Sequence, residues 1–431
     1  MKLKSVSIKN YKSLREIRLE PSDFSVFVGR NGSGKSNFAD ALDFIAIAYS
    51  DGLEHAVAKK GGYENIAHRK ERRSRSAIEF KIELLEEFKL SDLITHVDRP
   101  NRLYLDASFF IGFTHSFSIK TSGGGIKSEF KVVSESLELI KTNFQQDLLG
   151  DKAYEWLKVD RSSDGQVVLH GDLSSVLARS VFFNAAGWNQ EQNADFMLSQ
   201  SELLFNFPLI RPRVIGRFTS WLRRFSIFQL SPDVSRHAGV PTPNPTLSTR
   251  GENLPAVVDW LQSKRPKEWR LVVKAMKDIV PELQEISVVY LHTRTLGLFF
   301  KEAGVGRPWS AEEISDGTIR ALAILVACFD PRVSAMVLEE PENSLHPWII
   351  REVISHLRKL SGDKLVMVTT HSPIVLNCVD PREVWVVYKH DGETSINPLV
   401  SFDESLVKDW EDGKYRLFDY LESGAVPQAV P

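Results

Sequence analysis

Gly29-Arg30-Asn31-Gly32-Ser33-Gly34-Lys35-Ser36 follows the apolar run Phe24 to Val28 and precedes Phe38, Ala41, Leu42, Ile45 and Tyr49 at helical spacing. A strand therefore feeds a glycine loop that opens a helix, the context in which G-x-x-x-x-G-K-[ST] wraps phosphate with backbone N–H groups. In this reading Gly29, Arg30, Asn31, Gly32, Ser33, Gly34, Lys35, Ser36 and Asn37 line a nucleotide cradle. Gly32 and Gly34 let phosphate oxygens approach the backbone, Lys35 reaches the β- and γ-phosphates, and Ser36 ligates Mg²⁺. Taken alone, the stretch specifies a nucleoside triphosphate and an α/β layer, but not what the nucleotide drives.

Three later segments narrow it. The strand-like run Ala335–Leu338 ends in Glu339-Glu340-Pro341, which puts two carboxylates at the carboxyl edge of a sheet, where α/β folds bind ligands. Glu339 is then the acid on the Mg²⁺ side and Glu340 the base that polarises an attacking water. Ser315-Asp316-Gly317 opens a helix predicted over Ile319 to Phe329 and reads either as an ordinary N-cap or as an anion-binding helix start. His371, after the strand Leu365–Thr369, is either a loop histidine or a γ-phosphate contact. The order of the segments favours the second.

Together these motifs resemble the ABC-type ATPase head, specifically its RecF/SMC-like branch. Ile8-Lys9-Asn10-Tyr11-Lys12-Ser13-Leu14 resembles the branch's N-terminal adenine-side motif, Val28 to Asn37 its Walker A, Ile314 to Thr318 its signature motif and Glu342 to Pro347 its D-loop, with His371 as the switch histidine. The stretch Leu247 to Pro255 is similar to one in ATPases that resemble overcoming-lysogenization-defect and Septu-type phage-defence proteins. The resemblance implies ATP and Mg²⁺ as ligands. It also implies a head-to-tail homodimer in which the signature helix of one subunit caps ATP on the other's phosphate loop. Glu339 stands where transporter heads carry Asp, and Asp316 where they carry Gly, both usual in the RecF-like branch.

With 431 residues, 42% hydrophobic and 26% charged, the chain has apolar material for two or three cores. The expected fold is α/β: a P-loop ATPase head built from both ends of the chain, with a mostly helical inserted lobe. Its expected parts are residues 1–135 (first half of the head with the phosphate loop and a β layer), 136–285 (the lobe, broken at Pro241 to Pro245) and 286–431 (second half of the head). The 279 positions from Ser36 to Ser315 are what call for an insertion. Cys328 and Cys378 lie in apolar stretches without metal-ligand spacing and read as free thiols. No apolar run approaches the ~20 residues that span a bilayer, and the N-terminus alternates like a strand, so a cytoplasmic location without a membrane partner is expected.

A net charge of −2 leaves any nucleic-acid contact to local patches. His68 to Arg75 holds Arg69, Arg72, Arg73 and Arg75, while Arg211, Arg213, Arg217, Arg223 and Arg224 interleave with Phe218, Trp221 and Phe225. Each group reads equally as a solvated face or as phosphate contacts with stacking rings. Four function classes stand. The first is a DNA-engaged ATPase that regulates a separate nuclease in phage defence or repair; the others are a transporter ATPase, a nuclease in its own right, and an ATP-binding scaffold. The 60 residues after His371 are few for a nuclease domain, and intact Lys35, Glu340 and His371 weigh against a scaffold.

Overall fold

The computed structural model describes the chain apart from residues 69–75, 90–107, 122–128, 143–153, 171–196, 207–212, 293 and 428–431. The chain divides into two compact units. One is drawn from Met1–Pro21, Asp40–Arg223 and Lys389–Ile396, the other from Ser22–Ala39, Arg224–Tyr388 and Asn397–Pro431.

The first unit holds an antiparallel sheet of seven strands: β1 (Lys2–Tyr11), β2 (Leu14–Leu19), β4 (Ile78–Lys89), β5 (Ser108–Thr121), β6 (Phe130–Thr142), β7 (Tyr154–Arg161) and β8 (Val167–His170), in the order β2-β1-β4-β5-β6-β7-β8. Alternation along β4 turns Ile78, Phe80, Ile82 and Leu84 to the buried face, as a half-covered strand requires. That face is aromatic: Phe44 stacks on Phe80 at 5.2 Å between centroids, Phe80 on Phe117 at 5.1 Å and Phe113 on Phe218 at 4.7 Å. Beneath it runs a fully buried polar chain. His115 lies 2.5 Å from the Tyr49 hydroxyl through Nδ1 and 2.8 Å from Glu135 Oε1 through Nε2, and the Leu204 N–H donates to the same oxygen at 2.7 Å.

In the second unit, β3 (Phe24–Val28), β9 (Phe225–Phe228), β13 (Ala335–Glu339), β14 (Leu365–Thr370) and β15 (Val384–His390) form a parallel sheet in the order β15-β3-β14-β13-β9. Every residue of β3 and β14 is buried, so these strands are largely apolar, with Ser25 inside the first and Thr369-Thr370 closing the second. The helix Asp316–Phe329 is buried from Thr318 to Cys328 and shares one core with the helices Leu254–Lys264, Pro266–Ile279 and Pro347–Leu360. A small antiparallel sheet, β10 (Leu283–Tyr290), β11 (Leu296–Glu302) and β12 (Trp309–Ser310), completes the unit.

The segment 136–285, expected as a mostly helical lobe, is instead split. Its first part continues β6 and adds β7 and β8 to the seven-stranded sheet. From Arg224 onward it belongs to the second unit, where β9 pairs with β13 and the helices 254–264 and 266–279 join the common core. The reason is that β9 has only four residues, Phe225 to Phe228, whose strand state comes from pairing Ile227 with Val337 and not from any local alternation. The strand expected at Leu103–Phe110 falls partly outside the described residues, and β5 runs from Ser108 to Thr121. Cys328 is buried and Cys378 half-buried, both free. Among the described residues no helix is long and apolar enough to cross a membrane.

Candidate functional site

β3 delivers the chain to Gly29, where a Cβ would stand 1.9 Å from the carbonyl oxygen of Val387 on β15, so no larger residue fits against the neighbouring strand. The loop turns at Ser33, whose N–H donates to Arg30 O at 3.1 Å, and uses glycine at the left-handed positions Gly32 (φ +78°) and Gly34 (φ +112°). The helix Lys35–Ser50 starts immediately, with Phe38 N–H donating to Gly34 O at 2.9 Å. Arg30, Asn31 and Gly32 are exposed, as is Ser36 on the first helical turn, while Asn37 is half-buried. Lys35 is 7% exposed and donates to Gly29 O at 2.6 Å and Arg30 O at 3.3 Å. Burial pulls its ammonium below its ordinary pKa, and the carboxylates of Glu340, Glu342 and Glu339 pull it back. A glycine loop with this curvature and a buried cation facing carboxylates fits the triphosphate of a Mg²⁺-bound nucleotide.

β13 and β14 carry the acids and the histidine. Their register pairs Glu339 with Thr369, which brings the two strand ends together. Glu339 is half-buried at the end of β13. Glu340 adopts the left-handed φ of +46°, donates its N–H to Thr369 O at 2.9 Å, and holds Oε2 2.8 Å from His371 Nδ1. Glu342 accepts from the Thr370 hydroxyl at 2.5 Å and from the His371 N–H at 3.4 Å. Burial first, then the hydrogen bond to Glu340, pushes the Glu342 carboxyl up to about 7, against the opposing pull of Thr370. Glu340, Glu342 and His371 each offer a ligand atom within 4.8 Å of the others. Thus a proton or a divalent cation meets three competent groups here, whereas the expected Mg²⁺ ligands were Ser36 and Glu339.

Ser315 caps the helix Asp316–Phe329, accepting from Thr318 N–H at 3.2 Å and sharing a hydrogen bond with the Thr318 hydroxyl at 2.8 Å. Asp316 is exposed and ion-paired with Arg236. A Cβ on Gly317 would lie 3.1 Å from Ser344 O, so glycine lets the helix start approach the turn that follows β13. Three residues that sequence reading left without a role act here, Thr370 beside Glu340, Arg236 on Asp316, and Arg320, and Glu342, placed by the resemblance only in the D-loop, also stands beside Glu340. Arg320 donates from the helix to Glu340 O at 2.7 Å. One signal for it existed, since Arg320 interrupts an otherwise apolar run that is buried on every side.

The expected nucleic-acid residues fare differently. Arg69, Arg72, Arg73 and Arg75 lie outside the described residues. Arg223 and Arg224 are exposed, with Arg223 Nε donating to Tyr49 O at 2.8 Å. Phe218 and Trp221, read as part of either a solvated face or a base-stacking patch, are buried, Phe218 against Phe113, and Arg217 lies over the Phe88 ring while pairing with Glu86. The amphipathic helix Arg213–Arg223 has spent its rings on the core. The N-terminal motif forms the β1–β2 hairpin. There Asn10 and Lys12 have φ of +58° and +47°, and the Tyr11 hydroxyl donates to Asp40 at 2.7 Å.

Residues 114–377 match the family profile described as "AAA domain, putative AbiEii toxin, Type IV TA system", and residues 1–166 match an AAA ATPase domain profile. The DNA replication and repair protein RecF of Streptococcus agalactiae serotype V is 30% identical over 111 residues, covering 22% of this chain and 29% of the relative. RecF of Lactococcus lactis subsp. lactis is 34% identical over 56 residues (13% and 16%), and the chromosome partition protein Smc of Methanocaldococcus jannaschii 46% over 44 (10% and 4%). The matched stretches thus span less than a third of each curated relative. Among solved structures, an Smc head bound to the C-winged helix domain of ScpA aligns over 92% of this chain and 98% of its own at 14% identity (TM-score 0.47). The SMC head domain from Thermotoga maritima aligns over 92% and 99% at 13% identity (TM-score 0.42).

Proposed function

Because the chain belongs to the AAA-domain family matched over residues 114–377, we propose that it binds ATP with Mg²⁺ and hydrolyses it to ADP and phosphate. The observation that carries this reading is the meeting of a phosphate loop whose lysine is buried with a carboxylate and a histidine 2.8 Å apart. Lys35 exchanges the Gly29 and Arg30 carbonyls for β- and γ-phosphate oxygens, and the loop N–H groups bind the rest. Ser36 and Glu339 would hold Mg²⁺, which would neutralise phosphate charge. Glu340 accepts the proton of the attacking water at its carboxylate, and His371 orients that carboxylate.

In the same reading turnover needs a second copy. The helix start Ser315-Asp316-Gly317 of one chain closes over ATP on the Gly29–Asn37 loop of another, and the pair parts after hydrolysis. The dimer engages DNA through its basic segments and regulates a separate nuclease, in phage defence or repair. The short RecF and Smc similarities and the arginines of 69–75 support this part. The central test is phosphate release from ATP–Mg²⁺. Glu340→Gln should retain ATP binding while kcat falls roughly 100-fold or more, the range of a lost general base. Wild-type turnover in that variant would remove Glu340 as the base.

A further inference from the structure

Apart from Asp316 at its start, Arg320 is the one charged residue of the helix Asp316–Phe329, and it is 5% exposed. Its guanidinium is spent on backbone carbonyls: Nη1 donates to Leu230 O at 2.5 Å, Nη2 to Glu340 O at 2.7 Å and Nε to Pro341 O at 3.3 Å. Two of the three acceptors belong to the residue read above as the base and to its neighbour. The backbone of Glu340 is also left-handed, at φ +46°, a conformation that costs an L-residue about 1–2 kcal/mol and turns its carbonyl out of the strand ladder. Arg320 satisfies that carbonyl from one side. The Glu340 N–H, bonded to Thr369 O, anchors the residue from the other. The third acceptor, Leu230, follows β9, so one side chain holds the helix, the end of β13 and the segment after β9 in a single arrangement.

We propose that Arg320 is a positioning residue that sets the Glu340 carboxylate through the backbone and transmits to it the position of the helix that Ser315 caps. The assignment rests on the ATPase reading. A planar fork with five donors spans three carbonyls, whereas a lysine ammonium is a point donor on a flexible stem and cannot hold all three. Burial pulls the guanidinium below its ordinary pKa, and the neighbouring carboxylates of Glu342 and Glu340 pull it part of the way back.

The test uses the full chain carrying Arg320→Lys and, in parallel, the uncharged Arg320→Gln. Readouts are equilibrium binding of a fluorescent ATP analogue, steady-state hydrolysis and thermal unfolding. Expected are binding and KM within about threefold of wild type, with kcat lower by roughly 10- to 100-fold, the loss that a displaced catalytic group produces. Arg320→Ala should regain part of that kcat on addition of guanidinium ion, which a general loss of stability would not allow. Undiminished kcat in a folded variant, a rise in KM with kcat spared, or failure of both the Lys and Gln variants to fold would each overturn the positioning role. Wild-type hydrolysis separates the two readings: its absence overturns the ATPase reading on which the assignment rests, and its presence with unaffected variants overturns the assignment alone.

Discussion

Lys35 is a buried ammonium whose hydrogen bonds go to two backbone carbonyls, an arrangement that leaves its charge to be matched by something larger than a carbonyl dipole. Charge-assisted hydrogen bonds contribute about 1.5–3 kcal/mol each. Lys35→Ala should therefore weaken ATP–Mg²⁺ binding by roughly 10- to 100-fold in a calorimetric titration, in contrast to Glu340→Gln, which spares binding. Unchanged affinity would show that the loop does not hold phosphate through this side chain. The loop was legible from sequence because residue type states its geometry: glycine alone tolerates the φ of Gly32 and Gly34 or the approach of Val387 O to Gly29. Glu340 carries no such mark. Its φ of +46° follows from Thr369 O and Arg320, residues 29 and 20 positions away, and no local pattern announces it.

Elements show the same division. The helix Asp316–Phe329 and the strands β13 and β14 lie within a few residues of where periodicity places them, since long apolar runs must be buried whatever surrounds them. Which face of the helix Arg213–Arg223 points inward was open, because alternating arginine and aromatic residues suit both a core-facing and a base-stacking helix. Packing of Phe218 on Phe113 decides for the core. The remaining basic candidate is the segment 69–75. If it contacts phosphates, replacing Arg72, Arg73 and Arg75 by Glu should lower DNA affinity and flatten the salt slope by about 0.9 per lost phosphate contact. ATPase activity without DNA should stay within about twofold. Binding that is unchanged across a salt titration would identify the segment as a solvated face.

For the whole molecule the decisive experiment concerns assembly. Ser315 and Asp316 are exposed at a helix start, so a bulky cation there should disturb a neighbour more than its own chain. In the proposed dimer Ser315→Arg leaves ATP binding to the separate chain nearly intact and abolishes ATP-dependent dimerisation and turnover. Mixing it with Lys35→Ala should rebuild one composite site and recover hydrolysis that neither variant has alone. Demonstrated heterodimers without recovery, in a single-chain fusion as well, would speak against a shared site. The sequence by itself determined that a phosphate loop, a capped helix, an acid pair and a histidine occur in the order of an ATPase head, because each is written in residue types at short spacing. Only the tertiary structure decided that residues 136–285 divide between two units, that Tyr49, His115 and Glu135 form a buried polar chain, and that Glu342 and Arg320 surround Glu340. Those outcomes depend on which distant strands pair and which charges are buried together. Such contacts are set by the summed packing of the chain and leave no periodic trace along it.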